Sequence, residues 1–120
     1  METVVLGASP NPRRYSYLAT IGLIDAGFKV IPVGIKDGII NNVKISKQYP
    51  ENKNIHTLAM YLSEKNQKAY YDILTKNPPE RLIFNPGTYN NELESIMTEK
   101  GVKVIRSCVL VMLSHGVYEQ

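Results

Sequence analysis

The chain has 120 residues, 43% of them apolar and 21% charged, and a net charge of +3. Those values describe one globular domain, residues 1–120, with a single core, and they exclude wholesale disorder. The mild excess of base leans toward anionic ligands, yet no basic block or Trp platform argues for nucleic acid, and the lone Cys108 excludes both an intrachain disulfide and a thiolate metal cluster.

In chain order, Thr3–Leu6 is a short apolar strand. It empties into Gly7-Ala8-Ser9-Pro10-Asn11-Pro12-Arg13-Arg14-Tyr15-Ser16-Tyr17, and a helix over Ser16–Ala26 follows. Leu18, Ile21 and Ile24 share one side of that helix, and Gly27 stands where a left-handed C-terminal cap would end it. Phe28–Val33 is a second strand, whose Pro32 demands a place where no ladder donor is needed. Ile39-Ile40 and Val43–Ile45, split by Asn41-Asn42, read as a small hairpin or an edge excursion. The polar stretch up to Asn54 carries no readable element.

His56–Leu62 reads as a third strand, and Ser63 as the cap of a helix over Glu64–Lys76, with Tyr70, Ile73 and Leu74 toward the core. Asn77-Pro78-Pro79 stops it. Arg81–Phe84 is a fourth strand. The helix Asn90–Lys100 carries Leu93, Ile96 and Met97 on one side and ends at Gly101, and Val102–Ile105 is a fifth strand. Val109–Leu113 makes a closing helical turn or two that either covers one end of the sheet or pairs subunits in a homodimer or with a partner protein. No apolar run is long enough to span a membrane, and the chain enters a strand by Thr3 with no basic-then-apolar leader, so a cytoplasmic protein without membrane contact is expected.

Strands alternating with helices require crossover connections and therefore parallel pairing. The expected architecture is a three-layer α/β sandwich with a mostly parallel five-stranded sheet. Open sheets of this kind bind ligands beyond the carboxyl ends of their strands. That rule gathers Gly7 through Ser16, Gly34-Ile35-Lys36-Asp37, Asn85-Pro86-Gly87 and Arg106-Ser107-Cys108 onto one rim. The first turn joins a strand to a helix start, where unpartnered N–H groups and the helix dipole favour an anion, and its two arginines add forked donors suited to phosphate. It is not the dinucleotide fingerprint, because Ser9 and Pro10 occupy the place of the second glycine. Lys36, where a domain reading NAD carries an acid, suits a ribose bearing an extra phosphate, as in coenzyme A or NADP.

The first turn, together with Ala26-Gly27-Phe28-Lys29-Val30-Ile31-Pro32-Val33, resembles the small stand-alone CoA-binding domain proteins, Rossmann-like relatives of the CoA-binding domain of succinyl-CoA synthetase. The resemblance extends to Phe84-Asn85-Pro86-Gly87 and to Gly101-Val102-Lys103-Val104-Ile105-Arg106-Ser107-Cys108, and fades between Ile39 and Asn54. It implies coenzyme A or an acyl-CoA as cofactor, with Ser9, Arg14 and Ser16 holding its pyrophosphate, while the turn's own chemistry adds Gly7 for the tight turn and Arg13 as an alternative phosphate donor. Gly34 and Lys36 would lie against the adenosine half, and Pro86 and Gly87 beside the pantetheine arm. Two departures fall on that rim. Gly34-Ile35 replaces the family's Asn-Pro after strand two, and Asn85-Pro86-Gly87 replaces its Gln-x-Gly after strand four.

Residues for catalysis are scarce. His56 begins a strand away from the rim, His115 lies in the tail, and neither has a neighbouring acid. Cys108 reads first as a small buried hydrophobe and second as a group near a bound thiol. Glu92 and Glu94 suit the dipole at their helix start. The expectation is a non-catalytic module that binds a small-molecule nucleotide. A small NADP-linked or CoA-linked enzyme subunit, or an interaction protein that has lost the ligand, are the alternatives.

Overall fold

The computed structural model describes residues 1–51 and 53–119. In chain order the elements are β1 (Glu2–Leu6), α1 (Tyr15–Asp25), β2 (Lys29–Val33), β3 (Ile39–Ile40), β4 (Val43–Lys44), β5 (Thr57–Met60) and α2 (Glu64–Gln67). A 3₁₀ turn over Lys68–Tyr70 leads to α3 (Tyr71–Lys76), then β6 (Arg81–Phe84), α4 (Asn91–Glu99), β7 (Lys103–Arg106) and α5 (Val109–Ser114). Five strands form one wholly parallel sheet in the order β2-β1-β5-β6-β7. The order reverses between β1 and β5, the switch point of a doubly wound fold.

The strands bury both faces, so their apolar runs are unbroken and successive residues feed opposite layers. Val4 and Leu6 of β1, Leu58 and Met60 of β5, and Leu82 and Phe84 of β6 pack with Leu74, Leu93 and Met97 of α3 and α4. Val5, Ala59 and Ile83, one residue out of phase, pack with Ala19 and Leu23 of α1 and Val109 and Met112 of α5. Pro32 is tolerated because β2 is an edge strand, and its carbonyl accepts from the Ser46 amide at 2.8 Å. Asn41 and Asn42 both adopt positive φ (48° and 70°), the pair a two-residue hairpin turn between β3 and β4 needs.

Gly27 and Gly101 sit at φ +91° and +84° just past α1 and α4. In each case the next residue's amide reaches back into the last turn, Phe28 to Leu23 and Val102 to Met97, both at 3.0 Å.

Several elements differ from the sequence reading. The third strand stops at Met60, so Tyr61 and Leu62 belong to the turn that follows. The helix after it is broken by the 3₁₀ turn, and Ser63 caps it by position only, its hydroxyl accepting instead from Asn66 Nδ2 at 3.2 Å. The buried side of α1 is Ser16, Ala19, Thr20 and Leu23, while Leu18 is exposed. Small side chains let this helix approach its neighbours closely. A methyl at Gly22 would lie 3.2 Å from Leu113 of α5. No helix among the described residues is long and apolar enough to cross a membrane.

Candidate functional site

The carboxyl ends of the strands open on a cavity of about 1010 Å³. Its walls come from the turns after β1, β2, β5 and β6 and from the start of α5. The first turn is fixed to its neighbour: the Gly7 and Ala8 amides both donate to the Val33 carbonyl at 2.9 Å. Gly34 lies so close that a methyl there would stand 2.1 Å from the Ala8 carbonyl oxygen. Its own amide donates to Ser46 O at 2.9 Å. Gly34 is therefore required for close backbone approach, and Gly7 has no amide to offer a ligand.

What remains free in the turn is specific. Asn11 N donates to Ser9 Oγ at 3.1 Å, Arg13 N to Asn11 Oδ1 at 3.0 Å, and Arg14 N to Asn11 O at 3.1 Å. The amides of Ser9, Tyr15 and Ser16 find no acceptor among the described residues, and Arg14 at the N-cap of α1 supplies no side-chain cap. All four of these residues line the cavity. An unsatisfied helix start, with its partial positive charge and a guanidinium beside it, faces the void. Ser9 keeps its hydroxyl proton to donate, since the turn uses the oxygen only as an acceptor.

Arg14 and Lys36 are the cations on the wall, and none of the described residues lining it is Asp, Glu or His. Asp37, next to Lys36, is drawn aside to Lys47 at 3.4 Å in an exposed pair. Around the mouth stand Tyr15 (73% exposed), Ile35 (85%) and Val111 (50%), large apolar side chains that a ligand would cover.

Across the sheet the wall is held by buried amides. Asn85 donates from Nδ2 to Met60 O at 3.0 Å and accepts from Val109 N at 2.9 Å, tying the end of β5 to the start of α5. Gln67, fully buried, donates to Leu62 O at 2.9 Å and Thr88 O at 2.7 Å, and accepts from Asn90 Nδ2 at 2.9 Å. The Tyr61 hydroxyl is buried without a partner among the described residues. Burial first, then the nearness of Cys108 and Tyr118, pushes this phenol up, so it stays a neutral hydroxyl.

Of the residues singled out from sequence, Gly7, Ser9, Arg14, Ser16, Gly34, Lys36, Pro86 and Gly87 all line this cavity. Arg13 does not; its amide is tied into the Asn11 turn and it is exposed outside the wall. Arg106 also turns away, bonding Glu94 Oε1 at 2.9 Å and Asn91 Oδ1 at 2.6 Å over α4, while Cys108 is on the wall. His56 sits at the opposite end of β5, its Nδ1 2.8 Å from Thr57 Oγ1. Sequence reasoning missed the turn after β5, with Tyr61 and Leu62, and the apolar contribution of Ala69, Tyr70, Leu110 and Val111.

A family model described as a CoA binding domain matches residues 2–114. A crystal structure of an uncharacterized protein aligns with 40% identity and a TM-score of 0.93, covering 98% of this chain and 97% of that one. A hypothetical protein from Pyrococcus horikoshii OT3 aligns at 22% identity and TM-score 0.84, covering 94% of this chain and 81% of its own. A Thermus thermophilus protein gives 18% identity and TM-score 0.84 over 98% and 90%. The latter two share the fold. No curated protein matches the sequence.

Proposed function

Since the chain belongs to the CoA binding domain family, we propose that its cavity holds coenzyme A, with the diphosphate at the start of α1. The residues fit that group. The partnerless amides of Ser9, Tyr15 and Ser16, the Ser9 hydroxyl and the Arg14 guanidinium all belong to residues that line the cavity at the start of α1, a donor set suited to a diphosphate. Lys36 stands on the β2 side, where the adenosine half and its ribose phosphate would lie, with Asp37 engaged elsewhere. Gly34 acts by its absent side chain, letting the second turn sit against the first. Pro86 and Gly87 border the path of the pantetheine arm. The observation that carries the reading is the unpartnered first turn of α1 opening into a large cavity that also presents Arg14.

The protein acts as a cytoplasmic binding or regulatory module without chemistry of its own. Among the described residues, the cavity wall pairs no nucleophile with a general base, and its thiol, Cys108, has no histidine or carboxylate on that wall to activate it. The nucleotide half of a larger acyl-transfer assembly is a role such a module fills.

Calorimetry with CoA, NADP and NAD tests this. Coenzyme A alone should bind; Arg14→Ala should weaken it by roughly tenfold or more, the worth of a charged hydrogen bond, and Arg13→Ala by less than about twofold, as for an exposed charge. Preference for NADP would support an oxidoreductase subunit, and no binding would support an interaction protein.

A further inference from the structure

One buried side chain behind the cavity wall joins three separate segments of the chain. The register between β5 and β6 ends at Met60 and Phe84, and past that point both turns leave the sheet ladder. Gln67, the last residue of α2, is 0% exposed and does not itself line the cavity. Its Nε2 donates to Leu62 O at 2.9 Å and to Thr88 O at 2.7 Å, one acceptor in each turn, and both of those residues are on the wall. Two carbonyl oxygens can only accept, so the amide nitrogen must face them, and Oε1 is left for Asn90 Nδ2 at 2.9 Å.

Asn90 is itself 1% exposed and fully engaged. Its Nδ2 also donates to the Tyr71 hydroxyl at 2.9 Å, and its Oδ1 caps α4 by accepting from Leu93 N at 3.2 Å. The turn after β6 is thus bracketed by two amides: Asn85 holds Met60 O and Val109 N, and Asn90 holds Gln67. The tie extends to the other side of the cavity. Tyr61 C and Leu62 N lie 3.0 and 3.1 Å from where a methyl on Gly7 would stand, so the segment held by Gln67 is packed against the first turn.

We propose that Gln67 is a positioning residue for the ligand: it fixes the turns after β5 and β6, and through Leu62 the first turn, before any ligand arrives. This rests on the reading of the cavity as a CoA site and names what keeps that site pre-formed. Walls that are already in place cost nothing to order on binding. Without the Gln67 amide, Leu62 O and Thr88 O are left buried and unpaired, and the turns must move to reach water. If roughly one folded molecule in ten then presents the cavity, apparent affinity falls about tenfold.

Calorimetric titration of the whole chain with CoA, well below its melting transition, tests this. Gln67→Met, similar in length but without a donor, should raise the Kd about tenfold. Asn90→Ser keeps a hydroxyl to cap α4, gives up the bond to Gln67, and should raise it about threefold. Neither position lines the cavity. Ile55→Ala is the stability control: Ile55 is 3% exposed and precedes β5, at the opposite end of the strand from the cavity. It should lower the melting temperature strongly and leave the Kd within about twofold, as for a distant site. In the free proteins, the amide resonances of Ser9, Tyr15 and Ser16 should move in Gln67→Met and stay in place in Ile55→Ala. The Gln67 side-chain amide protons of the unaltered chain should exchange slowly before CoA is added. Should Gln67→Met not fold, Asn90→Ser carries the comparison. An unchanged Kd in the folded variants, an equal rise in Ile55→Ala, or Gln67 protons that exchange freely until CoA is added overturns this role while CoA binding stands. No CoA binding by the unaltered chain overturns the CoA reading itself, and the role of Gln67 with it.

Discussion

A methyl group on Gly34 would meet the Ala8 carbonyl at 2.1 Å, backbone against backbone, with no side chain able to yield. Gly34→Ala is therefore expected to lower stability by about 1–3 kcal/mol, the cost of forced overpacking, and to move the first turn. Gly22→Ala is the matched control, because its near neighbour is the flexible end of Leu113 at 3.2 Å. Urea denaturation of both checks the contrast. Tyr49 has a buried hydroxyl with no partner among the described residues, and burial pushes its phenol up. Tyr49→Phe removes that orphan and should stabilise the fold by about 1–2 kcal/mol at neutral pH. Because the phenol is harder to ionise folded than unfolded, its ionisation costs the fold nothing below pH ~10, the ordinary tyrosine value, and lowers stability as pH rises past it. Melts between pH 8 and 11 should show the unaltered protein losing stability faster than Tyr49→Phe, by up to about 1.4 kcal/mol per pH unit. At this scale the sequence shows residue types but not directions. Arg13 and Arg14 are indistinguishable as letters, and only the Asn11 turn, which takes the Arg13 amide, separates them.

At the scale of elements, the closing helix α5 forms one wall of the cavity, and two devices hold it. Asn85 grips its first amide. Beyond its end, Tyr118 is 2% exposed, its hydroxyl 2.5 Å from Thr3 Oγ1, its ring edge-on to Phe28 at 5.0 Å and beneath the Arg81 guanidinium at 4.7 Å. Arg81 also donates to Tyr118 O at 2.7 Å and Thr57 Oγ1 at 2.9 Å. Asn85→Leu would leave Met60 O and Val109 N without partners, costing about 2–4 kcal/mol. Chemical denaturation should report that loss. Strands were legible because burial on both faces makes them continuous apolar runs, as in Leu82-Ile83-Phe84. Helix faces were less so. In α1 apolar residues occur all round, and the buried side is chosen by smallness, Ser16 and Ala19 allowing close approach where Leu18 would not. The end of β5 was misread because Tyr61 and Leu62 continue an apolar run past the point where the backbone turns.

Over the whole molecule, local patterns imply parallel strands but not their order, which long-range pairing decides. The observed order places the switch between β1 and β5, so the turn after β5 packs directly against the first turn, with Tyr61 C 3.0 Å and Leu62 N 3.1 Å from where a methyl on Gly7 would stand. Without that order the turn after β5 has no claim on the site, and its share of the wall was invisible in sequence. The phosphate end was visible because strand, glycine-led turn and helix start are local. The rest of the wall draws on residues between 61 and 70 and between 108 and 111, joined only by the fold. The most direct measurement is an amide-resolved NMR titration with coenzyme A. Large shifts at Ser9, Tyr15 and Ser16, lost in Arg14→Ala, are expected for a diphosphate at the α1 start. Saturable binding that leaves those three amides unmoved would contradict it.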